Sequence, residues 1–192
     1  MDNKSYEKVF LPFVKNYQYC FSDKASYYMF NWGGAIYPIK HKKEASHKFY
    51  LALKNYKELY KKNKIILVGC SHGGSVILGM ADDLKKDKIA IDVVVLLGTP
   101  ISKKNEEYGT IRTDDGSFVF QTIINVYSEI DYIQPLDLFF NNFNFCKREI
   151  EPQSNIINYR IAHYGHINLW HRYAWSDPFV LEVPYVLKKF LG

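Results

Sequence analysis

The stretch KIILVGCSHGGSVILGM, residues 64–80, decides the fold. It opens with a continuous apolar run, which is typical of a strand buried on both faces. Its second half carries apolar residues at intervals of three and four, which is typical of one helix face. Between these halves, Gly69-Cys70-Ser71-His72-Gly73 sets a serine between glycines. The stretch therefore predicts a sharp strand-to-helix turn with a serine at its tip.

Short β-like runs alternate with helical patterns along the chain, which predicts an α/β fold. We expect three layers, with a mostly parallel central sheet and helices on both faces. A helix is predicted over residues 43–62, and a second helical face is formed by Val76, Ile77, Met80, Ala81 and Leu84. Predicted strands cover residues 8–13, 26–32, 64–70, 90–98, 121–128 and 155–162, and a short closing helix covers 184–192.

Two segments interrupt the alternation. Residues 101–119, which contain Asp114-Asp115-Gly116, are expected to form a hairpin or a loop. Residues 132–154 form either a small cap over a site or a segment that docks on the core through its phenylalanines, Phe139, Phe140, Phe143 and Phe145. No repeat or linker divides the chain, so residues 1–192 are expected to form one domain.

Composition excludes several classes of protein. An apolar fraction of 47% in 192 residues is typical of a globular chain. The first residues lack a signal-peptide pattern and no stretch reaches membrane-spanning length, so we expect no transmembrane segment. The three widely spaced cysteines, Cys20, Cys70 and Cys146, indicate a reducing, cytoplasmic setting. The net charge of +5 comes from scattered lysines without a recognition motif, so no specific nucleic-acid partner is expected.

The serine at the turn has two interpretations. As a nucleophile, Ser71 needs strained backbone angles and small neighbours, which Gly69 and Gly73 provide, while Gly74 lets the helix pack closely. The backbone N–H of His72 would then face a developing oxyanion at the start of the helix. Alternatively, Ser71 is an ordinary helix N-cap. An N-cap explains the serine but not the glycines on both sides of it, so we favour the nucleophile.

The segments LVGCSHGGSV (67–76) and VVVLLGTP (93–100) together resemble the α/β-hydrolase fold, and within it the small bacterial lipases and esterases. The resemblance covers about residues 64 to 170 well and the first sixty residues loosely. One departure is Cys70, at a position where these lipases usually carry histidine. The resemblance implies a catalytic triad in the chain order serine, acid, histidine, with the last two in loops after later strands.

The acid is predicted to be Asp131, a few residues beyond the strand at 121–128. A carboxylate in this position orients the base that takes the proton of the serine. The competing carboxylates are Glu129, Asp137 and the pair Asp114-Asp115, and the structural alternative for Asp131 is an exposed turn residue.

The base is predicted to be His166, because it follows Gly165 in a loop after the last strand. His163 is the alternative base, although it can also belong to that strand. His171, His41 and His47 are weaker candidates. The second oxyanion donor is predicted to be the backbone N–H of Phe13 or its neighbour, with the turn at 31–34 as the alternative.

The predicted function is therefore a serine hydrolase of the esterase or lipase type, with a small-molecule or lipid-like ester as substrate. Ser71 attacks the carbonyl, His166 acts as base and then as acid, and Asp131 orients the imidazole. No metal or organic cofactor is implied. The alternative is a catalytically weak or inactive hydrolase-fold scaffold that binds a ligand or a partner. Binding of nucleic acid through the lysines would show as a steep dependence on salt.

Overall fold

The computed structural model describes residues 39–132 and 146–161, together with residues 28, 30, 134 and 165. Helices and strands alternate along these ranges, as the sequence predicts. In chain order they are α1 (Ile39–Leu59), β1 (Ile66–Cys70), α2 (His72–Leu78), α3 (Ala81–Lys86), β2 (Ile91–Leu97), α4 (Lys103–Gly109), β3 (Phe120–Ser128) and β4 (Ile156–Ile161).

The four described strands form one parallel sheet in the order β1-β2-β3-β4. The register runs straight across it: Val68 pairs with Val95, Val95 with Ile124, and Ile124 with Ile157. Strand β2 is buried along most of its length, which explains its apolar run from Val93 to Leu97. Since all strands run the same way, the residues that follow them meet at one edge of the sheet. The predicted α/β fold with a parallel sheet is confirmed.

The helices bury the faces that the sequence predicts. Helix α1 spans 39–59 where 43–62 was predicted, and it buries Ala45, Tyr50 and Leu53. All five apolar positions that follow the glycines, Val76, Ile77, Met80, Ala81 and Leu84, are buried. Four of them, Ile77, Met80, Ala81 and Leu84, join apolar residues of the strands in the main hydrophobic cluster of the described chain. This packing fixes where β1 ends and α2 begins.

The second helical face belongs to two short helices, and not to the one helix that its periodicity predicts. The Met80 N–H donates to Ile77 O at 3.1 Å, an i−3 bond that tightens the backbone and interrupts the α-helix. Regular hydrogen bonding resumes when Leu84 N–H donates to Met80 O at 2.9 Å. Gly79, between the two helices, lies close to α1, because a Cβ there would be 2.6 Å from Ser46 Oγ.

The segment 101–119 is only partly the hairpin or loop that was expected. Helix α4 occupies its first half, and Ser102 caps it by accepting a hydrogen bond from Asn105 N–H at 3.2 Å. The second half is hairpin-like, with an antiparallel bridge between Arg112 and Phe118 and a left-handed Gly116 at φ 84°. The prediction of a hairpin or loop over 101–119 is therefore wrong at 103–109, where the chain is helical.

Several predicted elements lie outside the described residues. These are the strand at 8–13, almost all of the strand at 26–32, the closing helix at 184–192 and the four phenylalanines of the 132–154 segment. None of the helices in the described ranges combines the length and the apolar character needed to span a bilayer.

Candidate active site

Ser71 occupies the turn between β1 and α2 in a strained conformation. Its backbone angles are φ 50° and ψ −130°, in a region that side-chain-bearing residues rarely adopt. Two hydrogen bonds hold the turn: Ser71 N–H donates to Leu97 O at 2.8 Å, and Gly74 N–H donates to Ser71 O at 3.0 Å. Such a conformation costs on the order of 1–3 kcal/mol and persists only where its surroundings enforce it.

The N-cap interpretation of Ser71 is wrong. Ser71 holds the N-cap position of α2, but its side chain makes no capping hydrogen bond. Ser102, by contrast, caps α4 with extended backbone angles of φ −80° and ψ 161°, as a capping serine normally does. The two serines therefore lie at equivalent positions of two helices, but only Ser102 caps its helix through its side chain.

The glycines around Ser71 are required by close backbone contacts. A Cβ at Gly69 would lie 2.6 Å from both Cα and N of Gly74, which are backbone atoms that cannot move aside. A Cβ at Gly74 would collide with Thr99 Oγ1 and lie 2.7 Å from Thr99 Cγ2. Gly69 and Gly74 thus bring α2 against the ends of β1 and β2. The expected small residue at 69 and close helix packing at 74 are both confirmed.

His72 is the first residue of α2. Its backbone N–H therefore belongs to the first turn of the helix, where N–H groups point toward the N-terminal end. Its half-buried ring lies against α1, where His72 Nδ1 is 2.9 Å from Lys42 Nζ. An ammonium group only donates, so Lys42 Nζ is the donor of this bond. The side chain is thereby anchored, and the backbone at the start of α2 is anchored with it.

Asp131 lies three residues beyond the end of β3 and is 0% exposed. Its carboxylate Oδ1 accepts a hydrogen bond from Gln134 N–H at 2.9 Å. Its own N–H donates to Ser128 O at 3.2 Å, which folds the chain back directly after the strand. The alternative interpretation of Asp131 as an exposed turn residue is therefore wrong.

The described competitors of Asp131 have other roles. The Glu129 side chain is 62% exposed and pairs with Arg160 at 2.7 Å. Asp115 is exposed and accepts hydrogen bonds from Thr113 and Ser117, which lower its pKa to about 2 and organise the 113–117 turn. Asp114 is exposed in that turn, and Asp137 lies outside the described residues.

The parallel sheet brings the candidate residues to one edge. Ser71 follows β1 and Asp131 follows β3, and both strands flank β2. Since neighbouring strands are about 4.8 Å apart, the ends of β1 and β3 are separated by about 10 Å. Strand β4 lies beside β3, and the chain that carries His163 and His166 leaves its end at the same edge.

The remaining predicted site residues lie outside the described chain. These are His166, His163, His171, Phe13 and the turn at 31–34. Gly165 is described, and a Cβ there would meet nothing within 4 Å. The other two weaker histidine candidates are on α1: His41 is 3.7 Å from Glu44, and His47 is 3.1 Å from Asp83.

Sequence reasoning missed the residues that surround Asp131. Arg148 donates two hydrogen bonds to Asp131 O, from Nε at 3.2 Å and from Nη2 at 2.9 Å. Gln134 donates from its side-chain Nε2 to Thr99 O at 2.7 Å, linking the loop after β3 to the end of β2. Arg148 is 17 residues from Asp131 and carries no motif, so no local signal could have found it.

The groups near Ser71 also limit the chemistry. Removal from water raises the pKa of the Cys70 thiol to about 12, so this cysteine is protonated and a poor nucleophile at neutral pH. Within the described ranges, no group of three or more histidine, cysteine, aspartate or glutamate side chains is arranged to hold a metal ion. Ser71 is thus the nucleophile candidate at this turn.

A family model described as "Protein of unknown function (DUF726)" matches residues 47–175, more than half of the chain. The chain belongs to the DUF726 family. The matched part of this DUF726 chain includes β1 to β4, Ser71, Asp131 and both candidate histidines, His163 and His166. No curated protein matches it in sequence.

Solved structures resemble the DUF726 chain at low sequence identity. A protein described as a predicted CIB-like hydrolase from Thermoplasma acidophilum has a TM-score of 0.51 at 15% identity, covering 98% of this chain and 82% of its own. A candidate hydrolase from Agrobacterium vitis S4 has a TM-score of 0.50 at 15% identity, covering 96% and 82%. An alpha/beta hydrolase superfamily protein from Enterococcus faecalis has a TM-score of 0.48 at 11% identity, covering 80% and 73%. Together with the parallel sheet, the first two of these likenesses show an α/β fold that the chain shares with these two hydrolase structures.

Proposed function

We propose that this protein is a serine hydrolase that cleaves a carboxylic ester through an acyl-enzyme intermediate. Ser71 Oγ attacks the carbonyl carbon while His166 takes its proton, and His166 then returns a proton to the departing alcohol. Water, activated by the same histidine, releases the acid and restores Ser71. Asp131 holds the imidazole in the orientation and tautomer that this sequence of proton transfers requires.

The conformation of Ser71 carries the proposal. A serine that served only as a helix cap would adopt the extended conformation of Ser102 and make a side-chain capping hydrogen bond, and Ser71 does neither. Its strain costs on the order of 1–3 kcal/mol. Gly69 and Gly74, where a Cβ would clash with neighbouring atoms, keep the turn tight. A strained serine between a strand and a helix presents its hydroxyl above the sheet edge, where a substrate can reach it.

Asp131 supports the same assignment from the other side of β2. A carboxylate with 0% exposure is unfavourable unless hydrogen bonds satisfy it, and Gln134 N–H supplies one of them. Ser71 follows β1 and Asp131 follows β3 at one edge of the sheet, and His166 comes after β4 in the sequence, which is the chain order that the proposed triad requires. His163 is the alternative base, since it follows the same strand.

Oxyanion stabilisation is assigned to the backbone N–H groups of His72 and Phe13. The start of α2 aims the first of these toward the carbonyl that Ser71 attacks, and the helix end adds a favourable dipole. One such donor lowers the barrier by about 3 kcal/mol. The Phe13 assignment rests on the resemblance of the early strand alone.

Carboxylic esters are preferred over peptides as substrates because the sequence resembles lipases and esterases. The aromatic-rich segments NFNF (142–145) and NLWHRYAW (168–175) follow the strands that carry the acid and the base. They suit an apolar acyl group. We therefore expect a preference for esters of medium or long apolar acids.

Hydrolysis of a fluorogenic ester panel, with acyl chains from two to twelve carbons, tests the proposed function. Wild-type protein is expected to turn over the esters with a chain-length optimum, and Ser71→Ala is expected to lose this activity. Ser75→Ala is the matched control, because Ser75 lies on the same helix and its Oγ accepts a hydrogen bond from Asn105 at 3.1 Å. Absence of turnover by the wild type would favour the binding scaffold, and turnover without chain-length preference would contradict the apolar acyl site.

A further inference from the structure

Residues 146–150, called the strap below, run beside the ends of β2 and β3. An antiparallel bridge joins Lys147 to Ile101, with N–H to O distances of 2.8 and 3.0 Å. Asn158 of β4 holds the other end, accepting from Ile150 N–H at 3.1 Å and donating to Ile150 O at 2.7 Å. The strap is thus fixed at one end to the segment that follows β2 and at the other end to β4.

Arg148 is the central residue of the strap, and hydrogen bonds hold its backbone as they hold the backbone of Lys147 and Ile150. Its carbonyl accepts hydrogen bonds from Asn125 Nδ2 at 2.8 Å and Gln134 Nε2 at 3.3 Å. Its guanidinium reaches across to Asp131 O through both Nε and Nη2. A planar fork of two donors on one carbonyl fixes direction as well as distance, which a lysine cannot do.

Gln134 holds the carboxylate of Asp131. Its backbone N–H donates to Asp131 Oδ1, while its side chain, in a residue 1% exposed, donates to Thr99 O and Arg148 O. Asp131 is therefore held at its carbonyl by Arg148 and at its carboxylate by Gln134. Both residues are in turn bonded to strand ends or to the strap.

We propose that Arg148 and Gln134 are positioning residues that fix the carboxylate of Asp131 for its catalytic task. The inference rests on the proposed function, in which Asp131 orients the histidine. A misplacement of about 1 Å in such a group costs on the order of a hundredfold in rate, so a loop that carries the acid needs this support.

The test is the rate at which a fluorophosphonate labels Ser71, measured against pH for wild type, Arg148→Gln and Arg148→Lys. We expect Arg148→Gln to label about 10- to 100-fold more slowly. We also expect the pH midpoint of labelling to fall. A well-placed carboxylate stabilises the imidazolium and raises its pKa, so a loosened carboxylate lets that pKa drop. Arg148→Lys keeps one donor and is expected to lie between the two.

Arg160→Gln is the matched control, because Arg160 also bonds to the loop after β3 but does so through the exposed Glu129. It is expected to keep the wild-type rate and midpoint. Gln134→Met keeps the backbone donor to Asp131 and removes only the amide bonds, so it covers the case in which Arg148→Gln unfolds. We expect it to slow labelling and to lower the midpoint, but by less than Arg148→Gln.

The outcomes separate the two proposals. The positioning role alone is overturned if the wild type is labelled and if Arg148→Gln and Gln134→Met are both folded and keep its labelling rate and pH midpoint. A slower rate with an unchanged midpoint indicates a merely structural role and overturns it too. A wild type that is not labelled at any pH overturns the proposed function, and the positioning role with it.

Discussion

Replacing Ser71 by glycine should stabilise the protein, although it removes the proposed nucleophile. The strained backbone of Ser71 costs on the order of 1–3 kcal/mol. Glycine adopts φ 50° and ψ −130° without that cost, but loses roughly 0.5–1 kcal/mol in chain entropy. The net gain is about 1 kcal/mol. For a chain of this size, a gain of that amount raises the Tm by about 2–4 °C.

Ser71→Ala separates strain from the loss of the hydroxyl. Alanine keeps the strain and loses no capping bond, so its stability should be within about 1 kcal/mol of the wild type. Ser102 provides the matched site: Ser102→Ala should cost about 1 kcal/mol and Ser102→Gly a few tenths, both below the wild type. Urea unfolding of all four variants, followed by circular dichroism, measures these differences. A Ser71→Gly protein less stable than the wild type would refute the argument from strain.

Three further predictions concern the neighbours of Ser71 and the candidate acid. Gly74→Ala should lower the free energy of unfolding in urea by about 1–3 kcal/mol, because the added Cβ would clash with Thr99. Adding Thr99→Ala to the same chain should restore part of this loss, and losses from the two substitutions that simply add would contradict the contact. Asp131→Asn should slow fluorophosphonate labelling by about a thousandfold or more, whereas the Glu129→Gln protein should be labelled at nearly the wild-type rate. If Glu129→Gln slowed labelling and Asp131→Asn did not, Glu129 would be the acid. Cys70 should resist iodoacetamide at pH 8, by peptide mapping, about a thousandfold more than an ordinary cysteine and should react as the pH approaches 12. Rapid alkylation at pH 8 would contradict the raised pKa of its thiol.

The parallel sheet and the turn at Ser71 were predictable because their signals are local. An apolar run followed by spaced glycines reports a buried strand and a tight approach of a helix, and both appear at β1, Gly69 and Gly74. The position of Asp131 was predictable for a similar reason, since it follows a strand whose boundaries the sequence marks well.

The surroundings of Asp131 were not predictable, because they depend on contacts between distant parts of the chain. Arg148 reaches Asp131 only because the strap is bonded to Ile101 and Asn158. No sequence pattern in residues 146–150 predicts these contacts. The break at Met80 was missed for another reason. The apolar periodicity continues through it, although the hydrogen bonding does not.

The central claim is that Ser71 is a nucleophile activated by a histidine of the loop after β4. Intact-protein mass after incubation with a fluorophosphonate tests it most directly, using wild type beside Ser71→Ala, His166→Ala and the control Ser75→Ala. We predict a single adduct on the wild type and on Ser75→Ala, and none on Ser71→Ala or His166→Ala. An adduct that survives His166→Ala would assign the base to His163. An adduct that survives Ser71→Ala, or a wild type that forms none, would contradict the account.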